Sequence, residues 1–396
     1  MASVFQKCKK ADPPCDQRKC GHPWTVRYRE PGGRAARQRE KSFPRKREAD
    51  AFAVKVENDK NEGVYRDPSR GAITVRTWAE QWLDNRVLSP KTRKSYRMFL
   101  DHYLIPYLGR KTLAGVSNSD VQGFVSAMHK GTIGKQAQAP STIKARMSIL
   151  GAMFNDAIKD KRITDNPCRG VTLPRVADQR VDKDAIPTSE QVAEIARGLP
   201  DRFRFAVWLM AGCGLRISEA MAITEDCFRG DTLRIQWQTA EIEDESGKPL
   251  GIGFAPLKFR AEGDYREIPI APFLSDMAEE HIKEHGTQTI NGYEGLLFPS
   301  DTGRIMSGNN FRNYWARLVQ NPEMLGLDFT PHSLRHYFAS TALHNGVAIN
   351  EVSEWLGHRS IQVTVDTYGH LVPAAPDRVR EAMQAALNPN RLALTA

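Results

Sequence analysis

Four short segments in the C-terminal half of this 396-residue chain carry the residue types best suited to chemistry. In Gly214-Leu215-Arg216-Ile217-Ser218-Glu219, an arginine sits at an expected helix start with Glu219 three residues on. A carboxylate on that face can hold the guanidinium rigid, and a fixed guanidinium suits a bidentate phosphate contact. Taken alone, such a pair reads as a surface ion pair. In Thr330-Pro331-His332-Ser333-Leu334-Arg335-His336, the N-cap threonine and the proline at the first helical position predict a helix. His332 and Arg335 then share a face near its N-terminus, where free N–H groups favour an anion. His336, one turn from His332, reads as a packed, hydrogen-bonded histidine. In Glu354-Trp355-Leu356-Gly357-His358 the glycine ends a helix and presents His358. Ser360 caps a short helix that runs through Val363 and Val365 to Tyr368, just before Gly369. A tyrosine there can swing into a site or pack as a core aromatic.

Together these residues suit phosphoryl transfer. A phosphodiester resists attack because it is anionic, so Arg216 and Arg335 would neutralise it and its developing charge. Tyr368 would be the nucleophile; with a phenol pKa near 10, only about 0.1% is ionised at neutral pH. It therefore needs a cationic field and a base, for which His332 is the candidate. His358 would donate a hydrogen bond to a phosphate oxygen, and Glu219 would orient Arg216. Pro256-Leu257-Lys258-Phe259-Arg260 and Arg266-Glu267-Ile268-Pro269-Ile270 read as a hairpin from which Lys258 could reach the site and protonate the leaving oxygen, with Lys248 as competitor and an ordinary solvent-facing lysine as the alternative.

The elements that must position these groups read as three units. Residues 1–60 hold 16 Lys/Arg against 8 Asp/Glu, a net +8 of the chain's +9, so polyanion binding is expected of the first unit, residues 1–72. Trp24–Arg29 alternates like a half-buried strand, Pro31-Gly32-Gly33 turns, and Arg37–Phe43 returns. A helix over Lys46–Asn58 would back this small basic sheet, with Arg27, Arg29, Arg37, Arg39 and Lys41 on its DNA-facing side. Residues 73–174 read as four amphipathic helices, the second starting at Ser89-Pro90 and the fourth spanning Ser141–Ile158. Lys91, Arg93, Lys94, Lys144 and Arg146 would face DNA from them. Residues 175–187 have linker composition. Residues 188–396 open on the helix cap Thr188-Ser189-Glu190-Gln191 and are mostly helical, with strands over Leu233–Gln238 and Tyr265–Ile270. The fold class is therefore multidomain and mainly α with small β-sheets.

In this order, Arg216, Lys258, His332, Arg335, His358 and Tyr368 resemble the six-residue signature of the tyrosine recombinase (phage integrase) family. The third unit carries the match as an α+β catalytic domain. The second resembles that family's helical, SAM-like core-binding domain, and the first its arm-type DNA-binding domains. The resemblance implies site-specific cutting and rejoining of DNA through a 3′-phosphotyrosine, integrating or, with helper factors, excising a phage or mobile element. It implies a homotetramer on core and arm sites, an excision factor or DNA-bending host protein, and strand exchange without ATP or metal. No Walker A motif or paired metal carboxylates appear in the sequence. Pro376–Leu387 could dock on a neighbouring protomer or close its own domain. A Xer-like resolvase would not need residues 1–72, a type IB topoisomerase would lack the separate helical and arm-like units, and an inactive regulator would not keep every signature position competent.

Other classes are excluded by composition. The charged start is not a secretory signal, and the longest apolar run, Phe205–Leu215, falls short of the ~20 residues that span a bilayer. A cytoplasmic, nucleoid-associated protein without cofactor or membrane partner is expected. Six cysteines make no disulfide scaffold. Cys8, Cys15, Cys20 and His22 could form a Cys3His zinc site, although the set departs from the paired spacing of common fingers; free thiols in a frayed leader are the alternative.

Overall fold

The structure, a computed structural model, describes residues 2–11, 13–17, 20–32, 35–62, 70–177, 180–244, 248–321, 329–371 and 376–387. Gly33 of the expected turn and Asp178 and Gln179 of the expected linker lie outside them. The chain forms two compact units, Met1–Ala177 and Asp178–Ala396.

The first unit opens with β1 (Ser3–Gln6), β2 (Trp24–Arg29) and β3 (Gln38–Phe43), an antiparallel sheet in the order β1-β2-β3, followed by α1 (Lys46–Asn61). β1 was not legible from the Cys-rich start; its residues pair in register with β2, Val4 against Val26 and Gln6 against Trp24. Val26, Tyr28, Ala49 and Val56 form the buried core between sheet and helix. The register corrects the expectation of one basic face. Val26 pairs with Lys41 and Tyr28 with Arg39, so these two cations share the core-side face, while Arg27 and Arg29 alternate to the other. Lys41 lies over the Phe43 and Phe52 rings, Arg39 is paired with Glu30 at 2.7 Å and Arg27 with Glu40 at 2.7 Å. Arg37 is exposed, just ahead of β3.

Residues 70–177 carry α2 (Val75–Asp84), α3 (Pro90–Phe99), α4 (Ile105–Leu108), α5 (Asn118–Lys130) and α6 (Pro140–Lys159). Thr74, Ser89 and Ser117 cap α2, α3 and α5 by accepting backbone N–H bonds. Between α3 and α4 a wide π-turn spans Leu100–Leu104. Pro106 just beyond has no N–H to give and would crowd the carbonyl four residues back, which the widened turn relieves. The helices close over Trp78, Trp82, Phe99, Phe124, Leu150 and Phe154. Two cations assigned to DNA are used internally. Arg146 is buried with its guanidinium 3.6 Å from the Tyr103 ring centre, and Arg93 donates to the Leu83 and Arg86 carbonyls where α2 ends. Lys91, Lys94 and Lys144 are exposed.

In the second unit α7 (Ser189–Arg197) starts from a capping box between Thr188 and Gln191, and α8 (Asp201–Cys213) forms the centre of the core. α9 (Ile217–Ala220) is followed by β4 (Phe228–Arg229), β5 (Thr232–Ile235), β6 (Trp237–Glu243), β7 (Pro249–Pro256) and β8 (Arg266–Pro269). The expected strand Leu233–Gln238 is broken: β5 joins the sheet β4-β5-β8, and β6 pairs with β7. β8 pairs with β5 and not with the segment holding Lys258, so the expected hairpin is two separate pairings. Then come α10 (Pro272–His285), β9 (Gln288–Ile290), β10 (Tyr293–Leu296), α11 (Gly308–Val319), α12 (Pro331–His344), α13 (Ile349–Leu356), α14 (Ile361–Tyr368) and α15 (Pro376–Leu387). Val181, placed in the linker by composition, is buried with Tyr368, Leu356 and Val352, and Lys183–Ala185 form a 3-10 turn.

Candidate active site

α8 ends at Gly214, whose φ of 63° is left-handed; a Cβ there would meet the Phe338 ring at 2.5 Å. The turn delivers Arg216 as the N-cap of α9, where its backbone N–H donates to Glu219 Oε2 at 2.9 Å and its Nη1 to Oε1 at 2.9 Å. Glu219 is 1% exposed and also receives Arg266, whose Nη2 donates to Oε2 at 2.6 Å. Burial alone would raise the Glu219 carboxyl, but Arg266, Arg216 and Arg335 overcome it and draw its pKa down to about 2.

The C-terminal carbonyls of α13 anchor three guanidiniums in succession. Arg266 Nε donates to Trp355 O at 2.8 Å, Arg335 to Leu356 O, and Arg216 Nη2 to Gly357 O at 3.1 Å. A helix C-terminus leaves such carbonyls unpaired and carries partial negative charge. Arg335, 1% exposed on α12, adds a 2.6 Å bond to Gly214 O; burial and Arg216 together lower its pKa to about 9. Gly357, at φ 61°, ends α13, and His358 follows with its N–H on Ser353 O at 3.1 Å. The same corner thus presents His358 and fixes the arginines.

Tyr368, at the end of α14, is 1% exposed, and its hydroxyl lies 2.8 Å from His336 Nδ1. His332 is next to that pair, its ring centre 4.6 Å from that of His336, with its side chain exposed. The histidine at the Tyr368 hydroxyl is therefore His336, packed and hydrogen-bonded as expected, and not His332, the candidate base. Burial, with the neighbouring cations, lowers the pKa of half-buried His336 to about 4 and of His358 to about 3; the protein shielding one side of the open His332 ring, together with His336, Arg335 and Arg216, lowers His332 to about 4, so all three are neutral at pH 7. Burial raises the Tyr368 phenol to about 12 against the pull of Arg335 and Arg216. His358 Nδ1 lies 2.8 Å from the Thr364 hydroxyl. Val181 N–H donates to Thr367 O at 3.2 Å and His370 Nε2 lies 3.0 Å from Val181 O, pinning the tyrosine-bearing turn.

Lys258 is not brought into this cluster. It is exposed in the turn after β7, its Nζ 4.9 Å from the Phe259 ring centre, and Arg359 lies 5.9 Å from the same ring. Lys248 is exposed where β7 begins. Arg266 and Thr364 were missed by the sequence reasoning. The first stands in an ordinary-looking strand and the second on a short helix, and neither spacing marks them.

Residues 182–374 match the Phage integrase family, and residues 74–129 match Phage integrase, N-terminal SAM-like domain. The putative prophage phiRv2 integrase of Mycobacterium tuberculosis is 27% identical over 368 residues, covering 90% of both chains. Tyrosine recombinase XerD of Corynebacterium glutamicum is 25% identical, with 98% of its length but 80% of this chain covered. Among solved structures, the Tn1549 transposon integrase in complex with a circular intermediate DNA superposes with TM-score 0.65 at 21% identity, covering 79% of this chain and 99% of that one. A lambda integrase dimer bound to a COC' core site gives 0.52 at 16% identity, covering 88% and 92%. The chain belongs to the tyrosine recombinase (phage integrase) family, and its enzyme class is that of a tyrosine site-specific recombinase.

Proposed function

We propose that the protein is the integrase of a phage or integrative element, cutting and rejoining its attachment sites through Tyr368. The observation that carries this reading is the guanidinium pair of half-buried Arg216 and buried Arg335, fixed by Glu219 and the α13 carbonyls beside the Tyr368 hydroxyl. Two immobilised cations beside a phenol match a phosphodiester whose charge grows in the transition state. Attack by Tyr368 would form the phosphotyrosine bond as the 5′ oxygen leaves, conserving the bond energy for rejoining by a partner strand's 5′-hydroxyl. Neutral His332 and His336 can accept the phenol proton, with His336 holding the hydroxyl in the DNA-free state. With His358 Nδ1 taking the Thr364 hydroxyl proton, the ring N–H sits on Nε2 and can donate to a phosphate oxygen. Lys258 supplies the proton for the leaving oxygen, which requires its turn to move inward on DNA.

At rest Tyr368 is covered, so DNA binding must release it from His336 and from the turn pinned by Val181. Lys91, Lys94 and Lys144 would meet core-site backbone, and the sheet with Arg27, Arg29 and Arg37 the arm sites. An assembly of four chains is supported by α15, whose Val379 and Met383 side chains are exposed and suit docking on a neighbour. Helper proteins for excision and bending belong to the same reading, as does a place on the nucleoid. None of the described helices is long and apolar enough to cross a membrane.

The alignment with a prophage integrase over nearly the whole chain favours an integrase over a Xer-like resolvase. The experiment is recombination between two duplexes carrying DNA from beside the protein's own gene. Joined products with exchanged flanks are expected, and Tyr368→Phe should bind the same DNA without forming them. Relaxation of supercoils without exchange would refute the integrase reading.

A further inference from the structure

The connection between β1 and β2, residues 7–23, is long for a hairpin, and its described residues have little regular structure: a 3-10 turn over Lys7–Lys10. Its four soft ligands nevertheless converge. Cys8 Sγ, Cys15 Sγ, Cys20 Sγ and a His22 ring nitrogen all lie within 4.8 Å of one another. Cys8 follows β1 by two residues and His22 precedes β2 by two, and the strand ends between them, Gln6 and Trp24, are paired. Cys15 is tied back by its N–H to Cys8 O at 3.0 Å, and Gln6 Nε2 donates to His22 O at 2.8 Å. Lys9 Nζ adds bonds to the carbonyls of Cys15 at 2.5 Å and Gln17 at 2.6 Å. These bonds hold the backbone in place and leave the four ligand atoms facing one another.

We propose that Cys8, Cys15, Cys20 and His22 bind one structural Zn²⁺ that locks β1 and its connection onto β2. Tetrahedral Zn–S bonds of about 2.3 Å set neighbouring sulfurs roughly 3.8 Å apart, and Cys8 Sγ and Cys20 Sγ stand at 3.5 Å. A disulfide between those two would leave Cys15 and His22 gathered at the same point for no reason. Cys15 and Cys20, with four residues between them, sit at the long end of the usual paired spacing, while Cys8 and His22 join them through the β1–β2 pairing and so escape a sequence-spacing rule. Four donors and no open position describe a closed, structural site. Loading it would convert three thiols to thiolates and release their protons to solvent.

The need for such a clip follows from size. Among the described residues, the sheet and α1 bury four apolar side chains together, Val26, Tyr28, Ala49 and Val56, and so small a core is usually stapled by a metal or disulfides. β1 is the shorter of the two edge strands, so without the clip it would be the first to detach.

The full chain, purified under reducing conditions without chelator, should carry about one zinc per molecule. Cys20→Ser and the pair Cys8→Ser/Cys15→Ser should carry none, while Cys168→Ser, in the helical domain, should keep it. Cobalt loaded in place of zinc should give the intense visible ligand-field bands of a tetrahedral thiolate site, lost in Cys20→Ser. Chelation should raise amide exchange by at least tenfold in Ser3–Gln6 and leave α8 unchanged. If Cys20→Ser fails to fold, the zinc count and cobalt spectrum of the unaltered chain decide alone. Reduced protein with neither zinc nor a tetrahedral cobalt spectrum overturns the proposal. So does zinc that persists in Cys20→Ser, or a Cys8–Cys20 disulfide in a chain that takes up no metal once reduced.

Discussion

Glu219 is the anion on which the cation cluster depends, and replacing it by glutamine keeps its shape while removing its charge. The carboxylate faces Arg216 and Arg266 directly and Arg335 nearby, in a region shielded from water. A carboxyl drawn from 4.5 to about 2 by the folded state is linked to about 3 kcal/mol of stability at neutral pH. Breaking a buried pair from one side costs about 3–5 kcal/mol, so the two routes agree. The unfolded chain takes up this proton first. The contribution is therefore whole above about pH 4.5, fades as pH falls, and is gone near the folded pKa of about 2. The assay is urea unfolding of the full chain, read by hydrogen exchange on peptides of α8 and α12 so that the C-terminal unit is followed separately. Glu219→Gln should lose about 3 kcal/mol at pH 7, and its deficit against the unaltered protein should narrow between pH 5 and pH 3. A deficit under about 0.5 kcal/mol, the range of ordinary surface changes, or one that is constant across that interval, would refute the reasoning.

Further expectations follow from the same geometry. Because burial holds His336 and His358 far below their ordinary 6.5, with pKa values of about 4 and 3, they should cost stability as the unfolded chain gains protons. The C-terminal unit should thus weaken steadily as pH falls from 6.5 toward 4; an exchange-derived stability that is flat there would contradict the neutral assignment. Thr364→Val removes the bond to His358 Nδ1 and should slow cleavage of a nicked substrate about fivefold, the equivalent of ~1 kcal/mol, with unchanged DNA affinity; an unchanged rate would free His358 from that partner. Lys258→Ala should lose cleavage of ordinary DNA by at least about a hundredfold and regain it on a 5′-bridging phosphorothiolate, whose sulfur leaves without a proton. Rescue of Lys248→Ala in its place would move the acid to Lys248.

Local elements were legible because their determinants are local. Thr74, Ser89 and Thr188 announce helix starts through side-chain oxygens that satisfy free N–H groups, and Gly357 announces an end that only a left-handed residue can make. The order Arg216, His332, Arg335, His358, Tyr368 was readable for the same reason, each being fixed by a turn or cap beside it. Arg266 was not, since nothing in a strand's alternation reveals that its guanidinium will reach the Glu219 carboxylate and the end of α13. Arg146 shows the converse error: a basic residue on an amphipathic helix can bury itself against an aromatic ring, here Tyr103. The polar, Pro-flanked segment around Val181 read as linker because composition is averaged, whereas one apolar side chain inserted beside Tyr368 decides where the domain begins. Strand pairing fails similarly: β5 and β6 are contiguous in sequence apart from Gln236, yet belong to different sheets.

The most direct measurement is to trap the protein on a nicked substrate from its own attachment region, digest the complex and map the adduct by mass spectrometry. One modified peptide is expected, with a 3′-phosphonucleotide on the Tyr368 oxygen, absent from Tyr368→Phe. An adduct on a different residue, or none on DNA that the protein demonstrably binds, would contradict it.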